Sequence, residues 1–107
     1  MEIDEIGPAE LKARLGLDDE PLLLDVREVW EVELACLPGA ANIPMGEIPS
    51  RLCELDAGRE IVVVCHHGIR SAQVAVYLAR QGFERVLNLR GGIDAWSREA
   101  DASVPRY

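Results

Sequence analysis

The sequence predicts a single α/β domain with a small, mainly parallel central sheet flanked by helices. Short apolar runs alternate along the chain with segments of helical periodicity, which is the order that layered α/β domains show. The runs at residues 22–24 and 61–64 are apolar throughout, as expected of parallel strands buried on both faces. The chain has 107 residues, which suits one domain over 1–107 whose core needs no disulfide or structural metal.

The first half of the chain alternates helix and strand. Pro8 near the start and Gly16 after the end predict a first helix between them. Pro-Gly-Ala at 38–40 breaks the chain after a second helical segment. In order, the patterns predict a helix at 9–15, a strand at 22–24, a helix at 28–34, a short apolar segment around Ile43 and a weak helix at 47–55.

The second half supplies the centre of the sheet. Residues 61–64 are β-branched throughout and too few for a helix, so they predict the central strand. A helix at 71–81, a strand at 86–89 and a helical turn from Gly91-Gly92 through Trp96 follow. The core is expected to run over about 6–98, and the tail at 99–107 is expected to be frayed.

Charge and hydropathy exclude several classes of partner. Eleven basic and 19 acidic residues give a formal charge of −8, the opposite of a nucleic-acid-binding footprint. No apolar run approaches the length of a membrane span. Met1 is followed by Glu2, Asp4 and Glu5 where a secretory signal would place positive charge. The sequence therefore predicts a cytoplasmic protein without nucleic-acid or membrane partners.

The three cysteines differ in context. Cys36, Cys53 and Cys65 form an odd number and no C-x-x-C pair, which argues against a disulfide framework or a zinc knuckle. Only Cys65 directly follows a predicted strand, and Asp25 follows another. Ligands bind at the carboxyl ends of strands in such folds, so both residues are placed at a candidate site.

The segment CHHGIRS at 65–71 joins the central strand to a helix. Such a turn can direct backbone N–H groups and the helix dipole at one point, where a thiolate of Cys65 would be stabilised. Arg70 could clamp an oxyanion through two hydrogen bonds. The alternative is a buried thiol that acts as a small hydrophobe, but the accompanying glycine and arginine favour a nucleophile.

The adjacent histidines are weaker candidates for metal ligands. Neighbouring side chains usually point apart, and no second ligand cluster is visible, so no metal is predicted at His66 and His67. They are expected to line the mouth of the site, where an imidazole assists catalysis or contacts substrate.

Four ordered segments carry a family resemblance. LDVRE at 24–28, PGAANIP at 38–44, the loop at 65–71 and LRGGIDAW at 89–96 resemble the single-domain rhodaneses, sulfurtransferases of the thiosulfate:cyanide type. The resemblance runs from about residue 6 to 96 and implies a three-layer rhodanese-like fold. It implies sulfur transfer through a Cys65 persulfide, with no cofactor, from thiosulfate or a persulfide donor to a thiol, protein cysteine or cyanide.

The resemblance also distributes roles among the site residues. It implies that Cys65 and Arg70 are catalytic and that Asp25 and Arg27 give structural support. Cys36 stands where rhodaneses commonly carry a histidine, and its role as bystander or resolving thiol stays open. The substrate-binding loop implied by the resemblance comprises His66, His67, Gly68, Ile69 and Ser71.

Two other functions remain open on the sequence. Phosphatases and arsenate reductases of the related fold place arginine six positions after cysteine, whereas Arg70 is five positions after Cys65, and Ser71 is the sixth. The shorter loop favours a sulfur atom over a tetrahedral phosphate. A non-catalytic binding module of the same fold is disfavoured by the presence of both side chains.

Overall fold

The computed structural model describes residues 3–107 as a five-stranded parallel sheet with helices on both faces. The strands are β1 (Asp4–Ile6), β2 (Leu22–Asp25), β3 (Ala41–Asn42), β4 (Ile61–Val64) and β5 (Val86–Leu89), in the order β1-β5-β4-β2-β3. The helices are α1 (Pro8–Arg14), α2 (Val29–Leu34), α3 (Ile69–Arg80) and α4 (Gly92–Glu99). This architecture confirms the predicted α/β class, with β4 at the centre.

Alternation along the central strands divides the core into two layers. Leu24 and Val63 face one side, where they join Val74 and Leu78 of α3. On the other side are residues from the intervening strand positions and from α1 and α4: Leu11, Leu23, Val62, Val64, Ile93 and Trp96. Both faces of β2 and β4 are therefore covered, which explains why their sequences lack polar alternation.

The segment predicted as a weak helix at 47–55 is instead two 3₁₀ turns, Met45–Glu47 and Pro49–Glu54. Backbone nitrogens here bond to carbonyls three residues earlier, as Arg51 does to Ile48 at 3.2 Å. Pro49 has no N–H to donate, so a regular α-helix cannot run through this position unbroken.

Two other elements differ from expectation. The strand β1 was not predicted, because its three residues include the exposed Asp4 and Glu5 and it lies at the sheet edge beside β5. The helix expected from residue 71 begins at Ile69, since Gly68 adopts a left-handed conformation at its N-cap (φ +101°).

The tail expected to fray at 99–107 packs against the domain. Val104 is buried in the core layer that contains Trp96, and the Tyr107 ring stacks on His66. The buried and stacked surfaces of these two side chains, together with the hydrogen bonds of the Tyr107 hydroxyl, hold the segment.

Nothing within residues 3–107 forms a helix with the length and apolarity that crossing a membrane requires. Met1 and Glu2, which entered the argument about a secretory signal, lie outside the described residues.

Candidate functional site

The candidate site lies where β4 leads through residues 65–68 into α3. Cys65 directly follows the central strand, so it emerges at the carboxyl edge of the sheet. In the neighbouring strand, Asp25 pairs in register with Val64 and therefore ends at the same edge. The topology thus brings together the two strand ends that the sequence indicated.

The sulfur atom of Cys65 has two polar partners. The backbone nitrogen of Gly68 donates a hydrogen bond to Sγ at 3.0 Å, and Oγ of Ser71 lies 3.2 Å from Sγ. The residue is only 1% exposed, and the 12-residue helix α3, whose N-terminal dipole favours negative charge, begins four residues later in the chain. The Gly68 N–H and the dipole therefore suit a sulfur atom that gains negative charge.

The hydroxyl of Ser71 links Cys65 to Asn88. It donates its one hydrogen to Oδ1 of Asn88, so towards Cys65 it acts as the acceptor of the thiol S–H. Once that thiol proton is lost, the hydroxyl must turn to donate to the sulfur instead. Asn88 also donates from Nδ2 to the carbonyl oxygen of Gly68 at 3.1 Å, which fixes the turn.

The start of α4 closes the other side of the loop. Ile93 donates its N–H to the carbonyl oxygen of Cys65 at 2.8 Å, and Asp94 donates to that of His66 at 3.1 Å. A Cβ atom on Gly92, which has φ +63°, would overlap both carbonyl oxygens. Gly92 therefore marks a close approach of two backbones.

Arg70 is paired with a carboxylate, although part of its side chain is exposed. Its Nη1 and Nη2 donate to the two carboxylate oxygens of Glu31 at 2.6 and 2.8 Å. The hydrogen bonds of this ion pair lower the pKa of Glu31 and raise the pKa of Arg70, whereas burial shifts each pKa the other way. The ion pair has the larger effect, so the pKa of Glu31 falls to about 2 and that of Arg70 rises. Arg70 was expected to bind an oxyanion of the substrate. In the structure its guanidinium group binds the carboxylate of Glu31 in α2 instead.

Asp25 and Arg27 form a second, fully buried pair. Nε of Arg27 donates to both carboxylate oxygens of Asp25, at 2.9 and 3.1 Å, and Nη2 bonds the carbonyl of Ala35 at 2.7 Å. Removing one partner of such a pair leaves an uncompensated buried charge. The expected pairing at the end of β2 is present.

Tyr107 connects these two ion pairs. Nη1 of Arg27 donates to its hydroxyl at 2.9 Å, and the hydroxyl donates to Glu31 Oε2 at 2.7 Å. Its ring stacks on His66 with the centroids 3.9 Å apart and the planes at 6°. Burial is the main cause that raises the pKa of Tyr107 to about 12, so the hydroxyl stays protonated as a donor at neutral pH.

The two histidines do not point apart as expected. Their rings stack with centroids 3.9 Å apart, and the ring of Tyr107 stacks on His66 as well. Donor atoms of His66, His67 and Asp94 all lie within 4.8 Å of one another, a grouping that the sequence did not reveal. The carboxylate of Asp94 is already shared by Arg98 and Arg106, which compete with any cation for its oxygen atoms.

The remaining cysteines lie outside this arrangement. Cys36 and Cys53 are exposed, and all three cysteines are free thiols. Two cavities of about 190 and 130 Å³ are lined by other parts of the chain, and neither includes a residue of the loop at 65–71.

The chain is similar to a family of known proteins. A family model described as the rhodanese-like domain matches residues 7–99. The chain belongs to this rhodanese-like family. Among its relatives, a protein of Allochromatium vinosum named sulfurtransferase is 43% identical over 96 residues, covering 90% of each chain.

Solved structures agree on the rhodanese fold. A rhodanese-like domain protein from Staphylococcus aureus has a TM-score of 0.85 at 31% identity, covering 98% of this chain and 99% of that chain. A structure named NAD-dependent persulfide reductase, from A. fulgidus, has a TM-score of 0.70 at 35% identity. The similarity covers 88% of this chain and 16% of that larger one.

The sequence alone did not identify three residues of this rhodanese-like site: Glu31, Asn88 and Tyr107. Asn88 had a recognisable signal, since it is the one polar residue in the strand VLNL and buried polar groups need partners. Glu31 lies among other acidic residues of the segment at 28–33, and nothing in the sequence distinguishes it. Tyr107 was assigned to the frayed tail.

Proposed function

We propose that the protein is a sulfurtransferase that carries a sulfane sulfur as a persulfide on Cys65. The observation that supports this most is the surroundings of its sulfur atom. The Gly68 amide and the Ser71 hydroxyl both reach Sγ, and α3 begins at the same point. The loop is also one residue shorter than that of the related phosphatases, and the relative from A. vinosum carries the name sulfurtransferase.

Transfer would take place in two displacements. The Cys65 thiolate attacks the outer sulfur of thiosulfate; the S–S bond breaks, and sulfite leaves with the bonding electron pair. With a persulfide donor R–S–SH, the same attack releases the thiolate R–S⁻. In the second step an acceptor thiolate or cyanide attacks the outer sulfur of the Cys65 persulfide, and the Cys65 thiolate leaves.

The loop would hold the intermediate charge. The Gly68 N–H already donates to sulfur, and the Ser71 hydroxyl can donate after it turns away from Asn88. Neither step needs a cofactor or a metal. The name of the A. fulgidus relative, a persulfide reductase, supports a persulfide as one of the candidate sulfur donors.

The test is the intact mass of the reduced protein after incubation with thiosulfate or glutathione persulfide. The proposal predicts a gain of one sulfur atom that cyanide removes, and no gain by Cys65→Ser under the same conditions. An equal gain by Cys65→Ser would contradict the assignment. Absence of any adduct with either donor would leave the phosphatase and binding-module alternatives to be assayed instead.

A further inference from the structure

The carboxylate of Glu31 is held from several directions. Besides the two bonds from Arg70, Oε1 accepts the backbone N–H of Glu28 at 3.1 Å and Oε2 accepts the Tyr107 hydroxyl at 2.7 Å. Its side chain is 4% exposed. If Arg70 turned away, it would leave a buried carboxylate without its counter-charge, which is costly. Arg70 is therefore fixed on Glu31.

This pairing changes the charge that an arriving substrate meets. Two arginines belong to the hydrogen-bond network that Tyr107 joins. Each forms an ion pair with a carboxylate: Arg70 with Glu31, and Arg27 with Asp25. Within residues 3–107, this network therefore offers an anion the backbone amide of Gly68 and the helix dipole rather than an unpaired guanidinium group. An inorganic dianion loses strong hydration on entering a site that has no free counter-charge, whereas a donor whose reacting sulfur is singly charged or neutral loses less.

The two residues that directly precede the members of the ion pair in the chain are apolar and exposed. Trp30 directly precedes Glu31 and is 61% exposed, and Ile69 directly precedes Arg70 and is 73% exposed. Large apolar side chains that are left in solvent suit contact with the organic part of a ligand better than contact with an inorganic anion. Thiosulfate has no such part, whereas an organic persulfide has one.

We propose that Glu31 is a specificity-determining residue, which by holding Arg70 disfavours thiosulfate and makes an organic persulfide, R–S–SH, the preferred sulfur donor. This inference rests on the proposed sulfur transfer and narrows its donor. In the reaction the Cys65 thiolate forms a bond to the outer sulfur, the donor S–S bond breaks, and R–S⁻ leaves with the electron pair. No oxidant or reductant is consumed.

Glu31→Gln tests this role, because the amide keeps the shape of the side chain and removes its charge. The experiment compares kcat/KM for thiosulfate and for glutathione persulfide, with cyanide as the acceptor. Release of Arg70 should raise kcat/KM for thiosulfate about tenfold, mainly through KM, with a change below about threefold for the persulfide. Sulfate, which cannot react, should inhibit the variant about tenfold more strongly than the wild type.

Two controls separate this effect from general charge and from folding. Glu33→Gln makes the same substitution at an exposed position of the same helix and should leave the ratio of the two kcat/KM values unchanged. Adding Arg70→Gln to Glu31→Gln should abolish the gain with thiosulfate, because the gain requires the released guanidinium. If Glu31→Gln does not fold, Glu31→Asp, which shortens the reach to Arg70, should shift the ratio in the same direction.

The outcomes are distinct. An unchanged donor ratio in folded Glu31→Gln or Glu31→Asp overturns the role of Glu31, as does a gain that persists without Arg70. A wild-type protein that takes sulfur from neither donor overturns the proposed function itself. A ratio that moves towards thiosulfate, together with stronger inhibition by sulfate, supports the inference.

Discussion

The backbone nitrogen of Gly68 lies 3.0 Å from the sulfur atom of Cys65, three residues earlier in the chain. This contact depends on the left-handed conformation of Gly68, whose φ of +101° turns the loop back onto the strand end before α3 begins. The carbonyl of the same residue accepts the side chain of Asn88. The turn is thus fixed from β5 as well as by its own glycine.

Ser71→Ala removes the hydroxyl that contacts both Cys65 and Asn88. We expect the rate of sulfur loading at pH 7 to fall about tenfold, because the thiolate loses a hydrogen-bond donor. The free energy of unfolding should fall by about 1–3 kcal/mol, since Oδ1 of Asn88 is left buried without its donor. Loading followed by mass spectrometry and urea unfolding measure the two effects. The exposed Ser50→Ala is the control, and loading by Ser71→Ala at the wild-type rate would contradict the assigned contact.

Gly92→Ala tests the approach of α4 to the loop. The added methyl group would overlap the carbonyl oxygens of Cys65 and His66, whereas a Cβ at Gly82 has open space around it. Both glycines have positive φ, so Gly82→Ala reports the conformational strain alone. We expect Gly92→Ala to lower the free energy of unfolding by about 1–3 kcal/mol more than Gly82→Ala does. Equal losses in denaturant unfolding would show that the overlap is relieved at no cost.

Tyr107→Phe separates the hydroxyl of the tail from its ring. The phenylalanine keeps the stack on His66 but loses the bonds with Arg27 and Glu31. We expect a loss of about 1–3 kcal/mol in the free energy of unfolding, because buried charged groups lose a partner. Tyr77→Phe on α3 is the matched control, and thermal or urea unfolding measures both. If the two variants were equally stable, the Tyr107 hydroxyl would contribute nothing to the network.

The Glu31–Arg70 pair should be visible in the acid stability of the protein. The pKa of Glu31 falls from its ordinary 4.5 to about 2 in the folded state, chiefly through its bonds with Arg70. A lowered carboxyl pKa stabilises the fold above the unfolded-state value, and that stabilisation is lost as the pH falls through the folded value. The contribution, on the order of 3 kcal/mol at neutral pH, should therefore disappear between about pH 4.5 and 2.

The measurement is the free energy of unfolding against pH for the wild type and Glu31→Gln. The wild type should lose stability more steeply over that range, so that the difference between the two curves shrinks towards pH 2. Glu33→Gln should follow the wild type. Parallel curves for the wild type and Glu31→Gln would mean that the pair does not perturb the ionisation of Glu31.

The sheet and its loop could be predicted because their signals are local. The run at 61–64 is short, β-branched and apolar, which leaves a buried strand as its one good interpretation. The adjacent glycines likewise indicated the helical turn through Trp96 with which α4 begins. The edge strand β1 offered no such signal, since two of its three residues are exposed acids.

The partners within the site could not be predicted because they are distant in the chain. Glu31 and Arg70 are separated by 39 residues, and Tyr107 and Glu31 by 76. No periodicity or spacing in the sequence pairs such residues; the parallel topology and the packing of the tail bring them together. The structure thus gives Arg70 a carboxylate partner where the sequence alone indicated a free oxyanion clamp.

The most direct test of the central claim is to locate the transferred sulfur with variants that divide the three cysteines. Cys36→Ser/Cys53→Ser retains Cys65 alone, and Cys65→Ser retains the two exposed thiols. After loading with glutathione persulfide, desalting and addition of an acceptor thiol, intact mass follows the sulfur through both half-reactions. We expect the first variant to gain one sulfur atom and to pass it to the acceptor, and the second to do neither. Transfer by Cys65→Ser at the same rate, or failure of the variant that retains Cys65, would contradict the account.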